Sequence, residues 1–289
     1  MFTVNKKIII GITALSVCLA ALLTSCNNSS YPAPGTNNTP NPPDRTGLSE
    51  SKILTEPEKA HFIIRDTPAK TTPTKTTSTK DGEVLSILTI EDLSITQHER
   101  VDKNATDNMR SAIITQGQKR IYSLYDSINN ALFTEITAEG FNKDTLPRKV
   151  SVDYSCTRND GKAISITETI SYFAAEEPGY SILTTYNFVP LTGERIPQLF
   201  YNPDDSDAYN AADNTMYEKL TSKYGEIISY DNVSTSFVDV AANCWHFSED
   251  GNGIKVFFTA GQIAPEQAGD FEIEYSKEEL PEFAQKFFN

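Results

Sequence analysis

The clearest hydrophobic pattern in the chain is an alternation of apolar and polar residues over positions 149–156. The apolar members of this alternation are Val150, Val152, Tyr154 and Cys156. Alternation with a period of two is typical of a half-buried β-strand. Turn residues at 159–161 and 176–179 separate two further apolar-rich runs, at 164–172 and 180–189. The pattern therefore predicts an antiparallel meander of three strands.

Two other segments repeat apolar residues at the spacing of one helix face. The first repeat consists of Leu124, Ile128, Leu132 and Ile136, with Ser123 as its expected cap and Gly140 as its end. The second consists of Tyr209, Ala212, Met216 and Leu220 and ends near Gly225. Further strands are predicted within 83–95, around 227, and at 237–240, 244–247, 254–258 and 271–275. Helices set apart from antiparallel strands predict an α+β fold.

Residues 1–25 have the pattern of an export signal. Lys6 and Lys7 precede an apolar run that extends to Leu23, and this run has the length of a signal-peptide core rather than of a membrane-spanning helix. It ends in Leu-Thr-Ser followed by Cys26, which resembles the lipobox of bacterial lipoproteins. We expect Cys26 to be acylated and to anchor the chain on the outer side of a cell membrane. The alternative is an ordinary signal peptide with an incidental cysteine.

The stretch from 26 to 80 is rich in Thr, Ser, Asn, Pro and Lys, and it holds eight of the fifteen prolines. Such a composition cannot bury enough apolar surface to order itself, so we predict a disordered tether. The apolar island at 61–64 is the exception and predicts either a transient patch or a strand that docks late. The folded domain is then expected at 81–289, with an N-terminal half at about 83–190 and a C-terminal half at about 191–280.

The net charge of the chain limits the classes of partner that it is expected to bind. The chain carries 25 basic and 39 acidic side chains, and residues 81–289 alone carry 16 and 34, a net charge of −18. This balance argues against a nucleic-acid partner, which requires a basic surface. A strongly acidic domain attracts cationic partners at low salt, although acidity also serves solubility alone.

The sequence contains no motif that would indicate catalysis or a cofactor. A nucleophile elbow, a zinc-binding His pair, a phosphate-binding glycine loop and a Cys-x-x-Cys pair are all missing. His98 has no second His four residues on, and His246, within a predicted strand, is expected to be structural. We therefore expect no enzyme activity, no cofactor and no metal. The rival hypothesis is an envelope hydrolase whose two carboxylates converge only in the folded chain.

Clustered acidic residues at Asp204, Asp205 and Asp207 allow two interpretations. Oxygen-rich clusters suit calcium, but the loop lacks the glycine and the distal Glu of an EF-hand. Acidic residues that precede a helix also cap its free N–H groups, and we expect capping here.

Cys156 and Cys244 are the two cysteines left in the mature domain, and an oxidising compartment predicts a disulfide between them. Two separate buried thiols are the alternative.

Two stretches carry a resemblance to a known family. They are Asn187–Gly193 with the following Ile196, Leu199 and Phe200, and Ile254–Gly269 with the following Phe271–Ser276 and Leu280. Together with the helix at Tyr125–Leu132 they resemble the RsiV-like extracellular domain over about residues 83–280. That family occurs in anti-sigma factors that sense lysozyme, beside polysaccharide deacetylases, and in uncharacterised lipoproteins.

The resemblance implies an α+β fold and a ligand from the cell envelope, either a lysozyme-like cationic protein or a cell-wall glycan such as peptidoglycan. It also implies that the Ile263–Gly269 loop, with Pro265 and Glu266, takes part in binding. Glu266 stands where family members often carry an aromatic residue, and this sequence shows neither the sigma-binding segment nor the membrane helix of the anti-sigma factor. The sequence thus predicts a non-catalytic, lipid-anchored binding protein.

Overall fold

A computed structural model describes residues 62–65, 74–91, 93–97, 103–174, 180–203, 205–233 and 235–288. All of them lie within one compact unit, Lys59–Asn289. The predicted signal peptide, Cys26 and most of the predicted tether lie outside the described residues. Among the described residues, no helix is both long enough and apolar enough to cross a membrane.

A five-stranded sheet dominates the N-terminal half, in the order β2-β3-β5-β6-β7. Its strands are β2 (Thr74–Lys80), β3 (Glu83–Ile90), β5 (Arg148–Asn159), β6 (Ile164–Ala174) and β7 (Tyr180–Phe188). Strands β3 and β5 run parallel, and the other neighbours run antiparallel. The predicted meander is confirmed, because Val150, Val152 and Tyr154 are buried on one face of β5.

The sheet begins earlier than the sequence predicts. Strand β2 pairs with β3 along its whole length, so 74–80 belongs to the sheet and not to a tether that ends at 80. The island also forms a strand: β1 (Phe62–Arg65) pairs with β4 (Ser94–Gln97). A threonine-rich strand is stable here because its backbone groups bond to β3 at the sheet edge, which a composition rule does not detect.

One helical segment covers a face of this sheet. It consists of α1 (Lys103–Arg110), a π-helical turn (Ser111–Gly117) and α2 (Gln118–Glu135). The predicted start at Ser123 is wrong, because buried residues continue back at four-residue spacing through Ala105, Met109 and Ile113. A strict four-residue repeat drifts by about 40° per step around a regular α-helix, and the wider π turn offsets part of that drift.

Helix α2 is fixed to the sheet by polar contacts as well as by packing. Its buried Leu124, Ile128 and Leu132 face the sheet. The Ser86 hydroxyl on β3 donates to the Tyr125 hydroxyl at 2.8 Å and also bonds the Asn129 side chain. These buried polar groups are therefore satisfied across the interface, as burial requires.

The C-terminal half contains a second antiparallel sheet, in the order β10-β9-β8. Its elements are α3 (Ser206–Tyr224), α4 (Phe237–Ala241), β8 (Trp245–Phe247), β9 (Gly253–Phe258) and β10 (Phe271–Ser276). Short 3-10 turns occupy Lys143–Thr145, Gly225–Ile227, Tyr230–Asn232, Glu266–Ala268, Lys277–Glu279 and Glu282–Phe287. The mixed, mostly antiparallel architecture with separate helices confirms the α+β prediction.

Two strands predicted in this half are wrong. Ile227 lies in a 3-10 turn, and residues 237–240 form helix α4. The Ser236 hydroxyl accepts a hydrogen bond from the Asp239 backbone N–H at 3.1 Å, which caps the helix in the way that serine caps do. A short apolar run is compatible with either a strand or a helix. At residues 237–240 the Ser236 cap favours the helix.

The two halves join at the edge strand β7. The Thr185 backbone N–H donates to the Asn243 carbonyl at 2.9 Å, and the Asn187 side chain donates to the Trp245 carbonyl at 2.9 Å. Behind them, Trp245, Phe247, Val256 and Phe258 are each at most 1% exposed in the C-terminal core. The joined halves form one hydrophobic interior on which the surface sites rest.

Candidate functional site

One side of helix α3 alternates acidic and aromatic residues at four-residue spacing. The members are Asp205, Tyr209, Asp213 and Tyr217, followed by Thr221 and the C-cap Gly225. Residues four apart lie on neighbouring turns of one helix face. This Tyr/Asp stripe leads along the helix to a pocket at its C-terminal end.

Asp213 fixes the elements around the stripe. Its carboxylate accepts from the Val238 backbone N–H at 3.1 Å and from the Tyr230 hydroxyl at 3.0 Å. The side chain is buried, so the two bonds offset the desolvation of its charge. Burial, together with the bond and the charge of Asp213, raises the pKa of Tyr230 to about 12. Tyr230 therefore stays a neutral donor at physiological pH.

A second set of hydrogen bonds holds the start of α4. The Tyr209 hydroxyl donates to the Asp239 carboxylate at 3.0 Å and lies 2.6 Å from the Ser236 hydroxyl. The Tyr209 ring also meets the Tyr201 ring edge-on, with centroids 5.1 Å apart. These contacts position the aromatic rings. The polar groups in this part of the stripe are hydrogen-bonded within the protein.

Three aromatic rings form a cluster beside the pocket. The Tyr217 ring lies 4.7 Å from Tyr230 and 5.5 Å from Phe237, and Tyr230 lies 4.9 Å from Phe237. Phe237 is buried, whereas Tyr230 is 40% exposed. Packed aromatic pairs of this kind hold one another in place. The cluster thus presents a fixed aromatic wall to solvent.

The pocket itself has a volume of about 350 Å³ and opens to solvent. It is lined by Tyr217, Thr221, Gly225, Glu226, Ile228 and Ser229. Glu226 is exposed, and within the described residues it has no ion pair or hydrogen bond. The nearby Lys223 ammonium is bonded instead to the Glu272 carbonyl at 2.8 Å. The carboxylate of Glu226 is therefore available to a ligand.

The electrostatics of the pocket favour a cation. The C-terminal end of a helix carries a partial negative charge, and α3 ends at the pocket with Gly225 as its C-cap. The Glu226 carboxylate adds a full negative charge, and Tyr217 lines the same pocket, where an aromatic ring attracts a cation. An ammonium or guanidinium group fits this set of partners.

The lining residues do not form a catalytic pair. Glu226 is the one carboxylate among them, whereas a hydrolase of the two-carboxylate type needs a second carboxylate about 5–9 Å away. In the described part of the chain, no group of three or more His, Cys, Asp or Glu side chains is arranged to hold a metal ion.

The predicted ligand loop, Ile263–Gly269, precedes strand β10, and β10 contacts the last residue of α3. Pro265 and Glu266 are exposed, while Ile263 and Ala264 before them are buried and anchor the loop. Phe271, which follows the loop, meets the Tyr224 ring edge-on at 5.0 Å. Tyr224 directly precedes the pocket residues Gly225 and Glu226.

The predicted disulfide is not formed in the structure, where Cys156 and Cys244 are both reduced. Cys156 lies on β5, whereas the Cys244 sulfur contacts the Leu183 carbonyl on β7 at 3.9 Å. Strand β6 lies between β5, which carries Cys156, and β7, which the Cys244 sulfur contacts. The alternative of two separate thiols is the one observed.

The acidic cluster before α3 acts as a helix cap. The Asp205 carboxylate accepts from the backbone N–H groups of Asp207 at 3.0 Å and Ala208 at 3.2 Å, which is N-capping geometry. The prediction of capping is confirmed for Asp205, while Asp204 lies outside the described residues. His246 lies on β8 with its Nδ1 2.8 Å from the Phe247 carbonyl, and it lines no pocket described above.

Sequence reasoning missed Asp213, Tyr217 and Glu226. The four-residue spacing of acidic and aromatic residues on α3 was a usable signal, but the apolar stripe at Met216 and Leu220 on the same helix dominated its interpretation. The partners of Asp213, namely Tyr230 and Val238, lie 17 and 25 residues further on. No local pattern predicts that meeting.

Comparisons with known proteins identify relatives of the fold. No protein-family model and no curated protein matches the chain. A crystal structure of a DUF3298 family member from Bacteroides fragilis NCTC 9343 matches with a TM-score of 0.53 and 11% identity, over 79% of this chain and 98% of that one. A DUF3298 family protein from Pseudomonas aeruginosa PAO1 matches with a TM-score of 0.45 and 8% identity, over 80% of this chain and 97% of that one.

The Bacteroides structure shows that the chain shares a fold with a DUF3298 protein. At 11% identity the likeness extends to the fold alone. The names of these neighbours assign no ligand and no activity, and they do not mention the RsiV-like domain, so that finer assignment stays a prediction.

Proposed function

We propose that this protein is a non-catalytic, lipid-anchored binding protein of the cell envelope, and that the pocket at the end of α3 takes a cationic group of a lysozyme-like partner protein. The observation that carries this proposal is the Glu226 carboxylate, which has no partner among the described residues and lies beside Tyr217 and the C-terminal end of α3. The net charge of −18 over residues 81–289 supports it.

The size of the expected interaction fits a contact within a larger interface. A cation–π contact contributes about 0.5–2 kcal/mol, and a helix C-terminus contributes about 0.3–1 kcal/mol. These values are too small to hold a free amino acid tightly. A lysine or arginine side chain on a protein surface would bind here as one anchor among several contacts.

The RsiV-like resemblance supports a ligand from the envelope, and the shared DUF3298 fold is compatible with it. The resemblance also directs attention to Pro265 and Glu266. Because Phe271 after that loop packs on Tyr224 beside the pocket, we propose that loop and pocket contribute to one acidic binding surface.

The proposed function also includes anchoring of the chain to a membrane through an acylated Cys26. Replacing Cys26 with Ala should remove the acylated residue, so the variant should leave the membrane fraction or remain as an uncleaved precursor. A variant that is processed and partitions with lipid like the wild type would refute the anchor.

Binding is tested by titrating the purified full chain with lysozyme. We expect Glu226→Gln to weaken binding about threefold to tenfold, since one charge contact at a surface contributes roughly 1 kcal/mol. Glu139→Gln, which removes one exposed carboxylate after α2 in the other half, is the matched control and should change affinity little. If both variants weaken binding equally, the effect is one of net charge alone, and the pocket is not the binding site.

A further inference from the structure

The five-stranded sheet has a second face, opposite the helices, and this face carries a row of hydroxyl groups. Thr89 on β3 pairs with Ser151 on β5, Ser151 pairs with Ser171 on β6, and Ser171 pairs with Ser181 on β7. Their neighbours along the strands, such as Ile90, Val152 and Tyr172, are buried on the helix side. The four hydroxyl side chains therefore project together on the other side, where all four are half-buried.

Two flanking rows complete this hydroxyl face. On one side Asp153 pairs with Thr169, and Thr169 pairs with Leu183; on the other side Lys149 pairs with Phe173. Neighbouring strands are about 4.8 Å apart and alternate residues along a strand about 6.8 Å apart. The face therefore extends over about 14 Å in each direction, with the hydroxyl row across its middle.

The face can form many hydrogen bonds at low cost. Each hydroxyl can donate one hydrogen bond and accept two. The Ser171 and Ser181 hydroxyls lie 3.0 Å apart, and the Ser151 hydroxyl donates weakly to Asp153 at 3.4 Å, so each still has capacity left. Short hydroxyl side chains also lose little conformational entropy when a ligand orders them.

An exposed aromatic ring lies at the border of the row. Phe173 is 38% exposed, although it sits on a strand whose other large apolar residues, including Ile170 and Tyr172, are buried. A ring that keeps its face in water can stack on the apolar C–H face of a sugar ring. Hydroxyls beside an aromatic ring match the two kinds of surface that a sugar presents.

Charge separates this face from the rest of the domain. In the part of these rows that lies on β3, β5, β6 and β7, Lys149 and Asp153 are the two exposed charged residues, and they are of opposite sign. On β2, Lys75 pairs with Thr89 at the end of the hydroxyl row, within a region of net charge −18. The face therefore does not carry the excess of negative charge that the rest of the domain carries. It is complementary to an uncharged, hydroxyl-rich chain.

A protein partner fits this surface poorly. Two packed sheets bury interdigitating side chains about 10 Å apart, and interface cores are enriched in aromatic residues. A row of Thr and Ser with one exposed Phe does not supply such a core. A second copy of the chain would bury mainly hydroxyl groups against hydroxyl groups.

We propose that the hydroxyl face binds a neutral, extended polysaccharide strand that runs across the sheet along Thr89, Ser151, Ser171 and Ser181. This inference extends the proposed envelope-binding function to a second surface, and it does not depend on the pocket at the end of α3.

The test uses the full chain with insoluble chitin in a sedimentation assay and with chitohexaose in a calorimetric titration. We expect the wild type to bind both. Ser171→Arg fills the centre of the row and should weaken binding at least about tenfold. Phe173→Ala removes the stacking ring and should weaken it about threefold to tenfold. Phe173 is exposed, so this variant keeps the test valid if Ser171→Arg fails to fold.

Two controls separate the surfaces. Ser123→Arg introduces the same side chain at an exposed position of α2 and should bind chitohexaose like the wild type. Glu226→Gln should also leave sugar binding unchanged while it weakens lysozyme binding. The proposal is overturned if the wild type binds neither sugar probe, if Phe173→Ala binds as the wild type does, or if Ser123→Arg loses as much affinity as Ser171→Arg.

Discussion

Gly117 at the end of the π-helical turn lies against the hydroxyl of Tyr186. A Cβ atom at position 117 would come within 2.7 Å of that oxygen and 3.0 Å of the Glu168 carboxylate. The backbone of Gly117 is regular, with φ −63° and ψ −51°. Glycine is therefore required here by close packing on a buried polar cluster and not by its backbone conformation.

We predict that Gly117→Ala destabilises the fold in spite of the better helix propensity of alanine. Alanine would gain up to about 1 kcal/mol in an open helix, but the added methyl must push two buried polar side chains apart, which costs about 1–3 kcal/mol. Urea unfolding should show a net loss. Ser123→Ala on the exposed side of α2 is the control and should stay within about 0.5 kcal/mol of the wild type.

The polar cluster under Gly117 should behave as one unit. Glu168 is fully buried and is paired with the Arg120 guanidinium, while the Tyr186 hydroxyl donates to its carboxylate at 3.2 Å. Removing one partner leaves a buried charge without compensation, so Glu168→Leu and Arg120→Met should each cost about 3–5 kcal/mol. The double variant should cost clearly less than the sum in urea unfolding. Strict additivity would show that the two side chains are not coupled.

The two thiols should differ in reactivity. Burial raises the pKa of the Cys244 thiol to about 12, so very little reactive thiolate forms at pH 8. Cys156 is only half-buried. Iodoacetamide should label the Cys156 peptide of the native protein faster than the Cys244 peptide, and denaturant should remove the difference. Mass spectrometry that finds a Cys156–Cys244 linked peptide would contradict the structure.

His246 should make stability depend on pH in a narrow range. Burial lowers the pKa of His246 below its usual value of 6.5. Between that lowered pKa and 6.5 the unfolded chain binds more protons than the folded chain, so stability falls as the pH drops below about 6.5. Urea midpoints measured from pH 7.5 to 5 should fall less steeply for His246→Gln. An unchanged slope would show that other groups dominate.

The sequence predicted those elements whose pattern is local and regular. The alternation at Val150, Val152 and Tyr154 is confirmed because one face of β5 packs on helices, while Lys149, Asp153 and Ser155 on its other face are exposed. Helix α4 was missed because four apolar residues around Asp239 satisfy either pattern, and the Ser236 cap is a single bond. Strand β2 was missed because threonine-rich composition says nothing about an available neighbouring strand.

The candidate sites depend on pairings that no local pattern contains. The hydroxyl face needs the register that places Ser151 beside Ser171 and Ser181, and residues 151 and 181 are 30 positions apart in the sequence. The pocket needs a Glu226 carboxylate that no other described residue pairs with, while the Lys223 ammonium bonds to the Glu272 carbonyl. Both are properties of the folded chain, so the sequence offered only an expectation about the class of ligand, from its net charge and from the RsiV-like resemblance.

The last prediction concerns the salt dependence of the proposed lysozyme contact. Electrostatic attraction extends over about a Debye length, which is about 30 Å at 0.01 M salt and about 8 Å at 0.15 M. If the acidic domain guides a cationic protein to the pocket, association should slow steeply between these salt concentrations, whereas dissociation should change less. Stopped-flow or surface-based kinetics with the full chain measures both rates.

A specific site must also distinguish lysozyme from another basic protein. Cytochrome c should bind far more weakly at 0.15 M salt, because the aromatic wall at Tyr217 and Tyr230 adds shape requirements to the charge.

Glu266→Lys reverses one charge in the exposed loop and should slow association with lysozyme, whereas Glu139→Lys reverses a charge in the other half and should slow it less. Equal binding of the two basic proteins, or binding of neither at 0.15 M salt, would reject lysozyme as the ligand. In that event the neutral polysaccharide of the hydroxyl face becomes the better candidate, since its binding needs no net charge and should be insensitive to salt.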